Sequence, residues 1–289
     1  MGIFQTSARA RAAALAVPPF AYALLLLAFP LIAIVLMSFW TQDFLDLDTT
    51  FTLANYQEIA SEPIYRALLG RSLFVSAVVT LVTVLLAYPV AYFVSFHVDP
   101  SRKALWLFLI TIPFWTSYLI RVFLWRVILG YNGVVNTVLL DLGLIDEPLT
   151  FILYNLNSVI ITLAHAYAVF AILPIYVALE KIDRSLLEAA QDLGENRFTT
   201  FLRVTLPLSV PGIVGAILIV FIPTIGDYIT PELMGGPGGR LMSNMIQIQF
   251  LQVNNAPLGS ALAIVTMIAV GLASLLIVVL LGRWLRGRA

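Results

Sequence analysis

The stretch EAAQDLGENRFTTFLRVTLP, Glu188–Pro207, is polar, charged and helix-prone, and on both sides of it the chain is very apolar. The 289 residues are 61% hydrophobic and only 11% charged, with a mean hydropathy of +0.97. A soluble domain carries about a quarter charged residues, and an unusually apolar core does not explain so large a deficit. The fold class expected is an all-α polytopic membrane protein, in which one organised polar segment stands out from the apolar runs.

A bilayer-spanning helix needs about 20 mostly apolar residues. Six segments are expected to span, at about residues 12–39, 72–96, 104–124, 156–179, 206–225 and 258–281, within one transmembrane domain covering residues 1–289. Arg9 and Arg11 precede the first run. That run is too long for the apolar region of a cleaved signal, and no small-residue cleavage site follows, so a retained anchor helix is expected.

Lys/Arg bias orients such chains. With both termini inside, the inner segments hold Arg9, Arg11, Arg102, Lys103, Lys181, Arg184, Arg197, Arg203, Arg283, Arg286 and Arg288. Arg66, Arg71, Arg121, Arg126 and Arg240 fall at the outer side, where Asp43, Asp46, Asp48, Glu58, Glu62, Asp141, Asp146, Glu147 and Glu232 also gather. This topology makes both termini cytoplasmic and puts a cytoplasmic loop at about residues 180–205, between the fourth and fifth spans.

Several chemistries are excluded. The net charge is zero, which argues against a nucleic-acid surface. There is no cysteine, hence no disulfide or thiol chemistry. His97 and His165 are far apart, no cluster has metal-ligand spacing, and no nucleotide-binding P-loop occurs. No catalytic residues are expected; the chain does not read as an enzyme.

Within the polar loop, Ser185–Leu193 reads as a short helix that Asp183 or Ser185 can cap, with carboxylates near its start. Ala189 and Ala190 add little bulk, and Gly194 permits a turn that a side chain resists. A second helical stretch, Asn196–Val204, carries Phe198, Phe201 and Leu202 on an apolar side, and Pro207 falls in the first turn of the next span. Two short angled helices of this kind suit docking into a cleft of another protein; a solvated loop with incidental helix propensity is the other reading of the same residues.

The spacing resembles a known signature. Glu188-Ala189-Ala190, Gly194, and then, after nine residues, Val204, Leu206 and Pro207 match the pattern E-A-A-x-x-x-G…I-x-L-P, with Val204 in place of the usual Ile. That pattern belongs to the permease subunits of binding-protein-dependent ABC importers. The resemblance implies type I importer architecture in a bacterial inner (plasma) membrane and a coupling loop gripped by a separate ATPase. In it Glu188 makes polar contact with the ATPase, Ala189 and Ala190 allow close approach, and Gly194 sets the bend. It further implies two ATPase subunits that carry the ATP and Mg, a second permease subunit, similar or identical (a different chain in the habit of polyamine systems), and a periplasmic or extracellular substrate-binding protein; no cofactor is implied on this chain.

IPFWTSYLIRVFLWRVILGYNG (Ile112–Gly133) and FIPTIGDYITPELMGG (Phe221–Gly236) resemble the branch of that family that imports spermidine and putrescine. The same branch includes permeases for other amines, amino-acid derivatives and opines. On a continuous third span, Trp115, Tyr118, Val122 and Trp125 fall on one side. Such an aromatic stripe suits an ammonium ion through ring-face attraction of roughly 0.5–2 kcal/mol each; packing, or for Trp125 an interfacial belt, is the alternative.

Asp227 follows Pro223 and Gly226, where the fifth span is expected to break. A carboxylate there either pairs with a cationic amine, forms an ion pair with Arg121 or Arg126, or lies exposed at the mouth. His165 reads as a packed, hydrogen-bonded residue of the fourth span, and Gly235–Gly239 as a flexible turn facing the binding protein. An ion-coupled secondary transporter is a competing class; it calls for paired broken helices in an internal repeat, which the sequence does not display.

Overall fold

The computed structural model describes residues 8–44 and 46–286, with side chains described for 14–44 and 46–283. Arg288 lies outside the described residues, as do the side chains of Arg9, Arg11 and Arg286. In chain order the elements are α1 (Ala8–Met37), a β1–β2 hairpin (Thr41–Asp43, Asp46–Asp48), α2 (Ala54–Ser61), α3 (Pro63–Phe96), α4 (Pro100–Thr111) and α5 (Tyr118–Ile128). Then come α6 (Val134–Asp141), α7 (Leu156–Glu180), α8 (Arg184–Asp192), α9 (Arg197–Thr200), α10 (Leu206–Gly226), α11 (Ile229–Met234), α12 (Met242–Leu251) and α13 (Ala256–Arg286). Among the described residues, five helical segments are long and apolar enough to cross a membrane, and the bent α4–α5 pair makes a sixth if counted as one span.

The chain forms two compact units. One holds the residues up to Pro63 together with Ile246–Val265. In it the antiparallel hairpin pairs Gln42 with Leu47. Asn55 ties α2 to the end of α1 by donating to the carbonyls of Ser38 (3.0 Å) and Trp40 (2.7 Å), and Phe39 stacks on Phe51. Gln42 Oε1 accepts from the Ala256 amide at the start of α13 (3.3 Å).

The second unit holds Ile64–Met245 and the residues from Thr266 onward. Its core is built by α3, α5, α7 and α10, through residues such as Val75, Val79, Val122, Leu163, Ile175, Ala216 and Val220. Between apolar helices in lipid, small residues let backbones approach closely. Gly212 is the clearest case: a Cβ there would meet the Ala178 side chain and come within 2.6 Å of the Pro174 carbonyl oxygen.

The third span departs from expectation. It is not one helix: α4 tightens into a 3-10 turn over Ile112–Trp115, the backbone is extended at Thr116 and Ser117, and α5 leaves at 86°. Pro113 has no N–H to continue the α-helical ladder, which favours an end to α4 here. The stripe expected on a continuous helix is therefore divided. Tyr118, Val122 and Trp125 share one face of α5 and pack into the core, while Trp115, before the break, is 71% exposed and touches Phe108 edge-on.

The glycine-rich turn also differs from the flexible loop expected. Arg71 donates to the Gly238 carbonyl (2.8 Å), Ser158 Oγ donates to Met234 O (2.8 Å), and Gly236, at φ +60°, lies against the Tyr154 backbone. Hydrogen bonds from two other helices pin this turn to the body of the unit.

Candidate functional site

Two groups of predicted residues emerge, both in the second unit. The first is the elbow between α7 and α10. Asp183 caps α8 by accepting from the Ser185 amide (3.0 Å), and that bond holds its carboxyl below the usual carboxylate range. Gly194 ends the helix at φ +89°, and the Glu195 amide reaches back to Ala190 O (3.1 Å). A left-handed residue just past the last turn is the usual way to satisfy the final carbonyls, and glycine adopts it without steric cost. Asn196 then caps α9 by accepting from the Phe198 and Thr199 amides. Glu195 pairs with Arg203 across the elbow.

The elbow displays an apolar surface. Leu186, Ala189 and Leu193 recur at helical spacing and are exposed, Leu193 to 86%, and Phe198 is exposed beside them. Glu188 stands next to this strip, also exposed, and Ala190 is half-buried. The inner side of the elbow lines a cavity of about 370 Å³ with Tyr92, Phe96, His97, Leu187 and Arg197 among its walls.

Leu206 and Pro207 are half-buried in the joint behind that surface. Pro207 does not begin a separate helix: the chain is helical from Arg197 to Gly226. Phe201–Thr205 form a π-turn in which the Leu206 amide bonds Phe201 O, five residues back. A proline cannot donate to the carbonyl four residues earlier and crowds it, and the widened turn accommodates that.

The second group surrounds Asp227. α10 stops at Gly226, and Asp227 takes an extended conformation only 8% exposed. The Tyr118 hydroxyl donates to Oδ2 of Asp227; the Thr230 amide (3.0 Å) and hydroxyl (3.2 Å) donate to its two oxygens; Ser243 Oγ donates to its backbone carbonyl (2.7 Å). Exposure at the mouth is thus ruled out, and so are the ion pairs with Arg121 and Arg126. Arg121 lies over the Phe114 ring (4.7 Å) and farther over the Tyr118 ring (5.9 Å), and Arg126 over the Tyr154 ring (5.4 Å). Among the described residues no cation makes an ion pair with Asp227.

His165 accepts from Trp125 Nε1 (3.0 Å), as a hydrogen-bonded histidine should, although it is exposed on its helix rather than packed inside. The structure brings Tyr118 to Asp227 and leaves Trp115 apart from both. Sequence reasoning missed Thr230. Its place three residues after a carboxylate that follows a helix end is the spacing of a side-chain-to-backbone turn, and that signal was available.

Fold and elbow together define a helical chain with five or six segments apolar enough to cross a membrane among the described residues, and an exposed, capped elbow between two of them. A family model described as "Binding-protein-dependent transport system inner membrane component" matches residues 84–287, and the chain belongs to that family. It is 38% identical over 246 residues, 85% of each chain, to the "Spermidine/putrescine transport system permease protein PotB" of Haemophilus influenzae. It is 31% identical over 256 residues, 84% of this chain and 80% of the other, to the "Inner membrane ABC transporter permease protein YdcU" of Escherichia coli. Among solved structures, a chain of a bacterial ABC transporter that imports the polysaccharide alginate shares the fold at a TM-score of 0.72 and 20% identity, with 94% of both chains covered. Membership in this family sets aside the ion-coupled secondary transporter.

Proposed function

We propose that this chain forms half of the translocation pathway of an ABC importer for spermidine- and putrescine-type polyamines. The observation that carries the substrate assignment is a buried carboxylate without a cation: Asp227 is held by Tyr118 and Thr230 in a chain 38% identical to a spermidine/putrescine permease. An ionised group near membrane depth is costly unless it meets a partner, and an alkylammonium supplies the missing charge through a charge-assisted hydrogen bond. Trp115, exposed at the break before α5, is the aromatic surface the amine passes on its way.

In this reading the elbow is cytoplasmic, and so are both termini. Two ATPase subunits, which carry the ATP and Mg, grip Glu188, Ala189 and the exposed Leu193; Ala190 and Gly194 shape that surface, and Leu206 and Pro207 pass its motion into α10. A second permease, a different chain, completes the path, and a binding protein delivers the amine on the outer face. Each ligand biases the inward- and outward-open states only by binding them unequally. This chain moves; it performs no covalent chemistry.

Reconstitution of the complete transporter in liposomes tests the proposal. Labelled putrescine and spermidine should enter only with ATP and binding protein, and vanadate should stop uptake. Uptake that persists under vanadate overturns the mechanism, and ATP-driven uptake of an opine or amino-acid derivative in place of polyamines overturns the substrate.

A further inference from the structure

We infer that Ser95, Lys103, Glu180 and Arg184 form a clamp that makes α8 move as one body with the ends of α3, α4 and α7. This rests on α8 being the segment the ATPase grips. Lys103 Nζ lies 2.6 Å from Glu180 Oε1 and also donates to the Ser95 carbonyl (2.8 Å). Ser95 Oγ donates to the same carboxylate oxygen (2.8 Å). Arg184 Nη2 donates to the same Ser95 carbonyl (2.7 Å), and its guanidinium lies 4.8 Å from the centre of the Phe96 ring. One carbonyl in the last turn of α3 therefore receives a cation from the start of α4 and another from the first residue of α8.

The placement of the charges argues that the contact, not the helices, requires them. Carboxylates are favoured at helix N-termini and cations at C-termini. Glu180 is a carboxylate at the C-terminal end of α7, and Arg184 is a cation at the N-terminal end of α8. Each is at the unfavourable end of its own helix, and each finds a compensating partner where the four residues meet.

The far end of α8 is held differently, by the Glu195–Arg203 pair and the Glu195 amide bond to Ala190 O. Gly194 turns at φ +89° with no atom within 4 Å of where a Cβ would stand. A push on the exposed strip of α8 is thus delivered at its first turn into α3, α4 and α7, as well as through the elbow into α10. The clamp is a positioning device, since none of its residues belongs to the Asp227 cluster.

The complete transporter in nanodiscs, with its ATPases, partner permease and spermidine-loaded binding protein, tests the clamp through the stimulation of ATP hydrolysis by that binding protein. Lys103→Glu and Glu180→Lys should each lower the stimulation about fivefold or more, the lower range of site-to-site coupling, and the double reversal should restore it. Arg184→Gln should lower it, and Arg184→Lys should recover part of the loss. Ala189→Cys, cross-linked to the ATPase in every background, reports docking separately: no cross-link in the otherwise unaltered transporter means that α8 is not the gripped segment. Normal cross-linking with undiminished stimulation in the charge variants overturns the clamp, as does a double reversal no better than the worse single variant. Should either reversal fail to assemble, Arg184→Gln with normal cross-linking and normal stimulation is sufficient to overturn it.

Discussion

The Tyr118 hydroxyl donates its hydrogen bond to Oδ2 of Asp227, 109 residues further along the chain. The same hydroxyl lies 2.6 Å from Thr230 Oγ1, which itself donates to Asp227. The three side chains form a closed set around one buried carboxylate. That set exists because α5 begins and α10 ends there: Ser117 is extended before one, and Asp227 is extended after the other.

Asp227→Asn preserves the size of the side chain and removes its charge. Loss of a charged hydrogen bond is worth roughly 1.5–3 kcal/mol, so the KM for spermidine uptake should rise by about tenfold or more while the assembled complex purifies in normal yield. Tyr118→Phe leaves Oδ2 to Thr230 alone and should raise the KM less, because the carboxylate keeps its charge and its bonds from Thr230. Unchanged uptake kinetics in Asp227→Asn would remove this carboxylate from the path.

Gly194→Val places a β-branched side chain at φ +89° in open space, so the cost is backbone strain alone, roughly 1–2 kcal/mol for a left-handed residue. The elbow should reorient and transport should fall although the long helices remain, as circular dichroism will report. Glu188→Ala should weaken ATPase retention during purification without affecting the helix content. Normal coupling of hydrolysis to uptake in both variants would deny the elbow its proposed role.

Gly212→Leu tests the packing of α7 on α10. Because the obstacle is the Pro174 carbonyl, a backbone atom, the helices must separate rather than a side chain rotate. Overpacking of this kind typically costs 1–3 kcal/mol, and the melting temperature in detergent should drop accordingly. Gly226→Ala meets no atom within 4 Å and serves as the matched control.

Asp183 links pH to the first turn of α8. Its carboxyl is held below the usual value by the Ser185 amide, so the cap's contribution is complete above the unfolded carboxylate's pKa of about 3.9 and is lost only as pH falls through the lower folded value. Hydrogen exchange at the Ser185 amide should therefore stay slow from neutral pH down into the acid range. Asp183→Asn, which still accepts a hydrogen bond, should keep the protection, and Asp183→Ala should remove it. Equal protection in all three proteins would show that the cap does not hold this turn.

Much of the elbow was legible because its signals are local. Asp183 and Asn196 stand immediately before helical stretches, and Gly194 stands where a left-handed turn must follow; each feature involves residues within a few positions of one another. Local spacing also marks Glu188, Ala189 and Gly194. It could not tell that Leu193 would be 86% exposed, since exposure depends on which face of α8 turns toward Tyr92 and Phe96.

The break in the third span was misread for an identifiable reason. Hydropathy sums over residues and is blind to direction, so two helices meeting at 86° give the same apolar total as one straight helix. Pro113 carried the warning, but many apolar helices keep their prolines without breaking: Pro89 lies inside α3 and Pro174 inside α7. Whether a proline bends or ends a helix depends on what neighbouring elements offer the freed backbone groups.

Composition and short-range pattern were enough to establish an all-helical membrane chain, its apolar runs and a capped elbow between two of them, because the cost of leaving backbone unpaired in lipid and the geometry of helix ends act over only a few residues. Folding in three dimensions settled which distant groups meet: Tyr118 with Asp227, Lys103 with Glu180, and Arg184 with Ser95. Those pairings arise from how whole helices pack and where they bend, and a side chain's neighbours 75 or more positions away leave no trace in its local spacing.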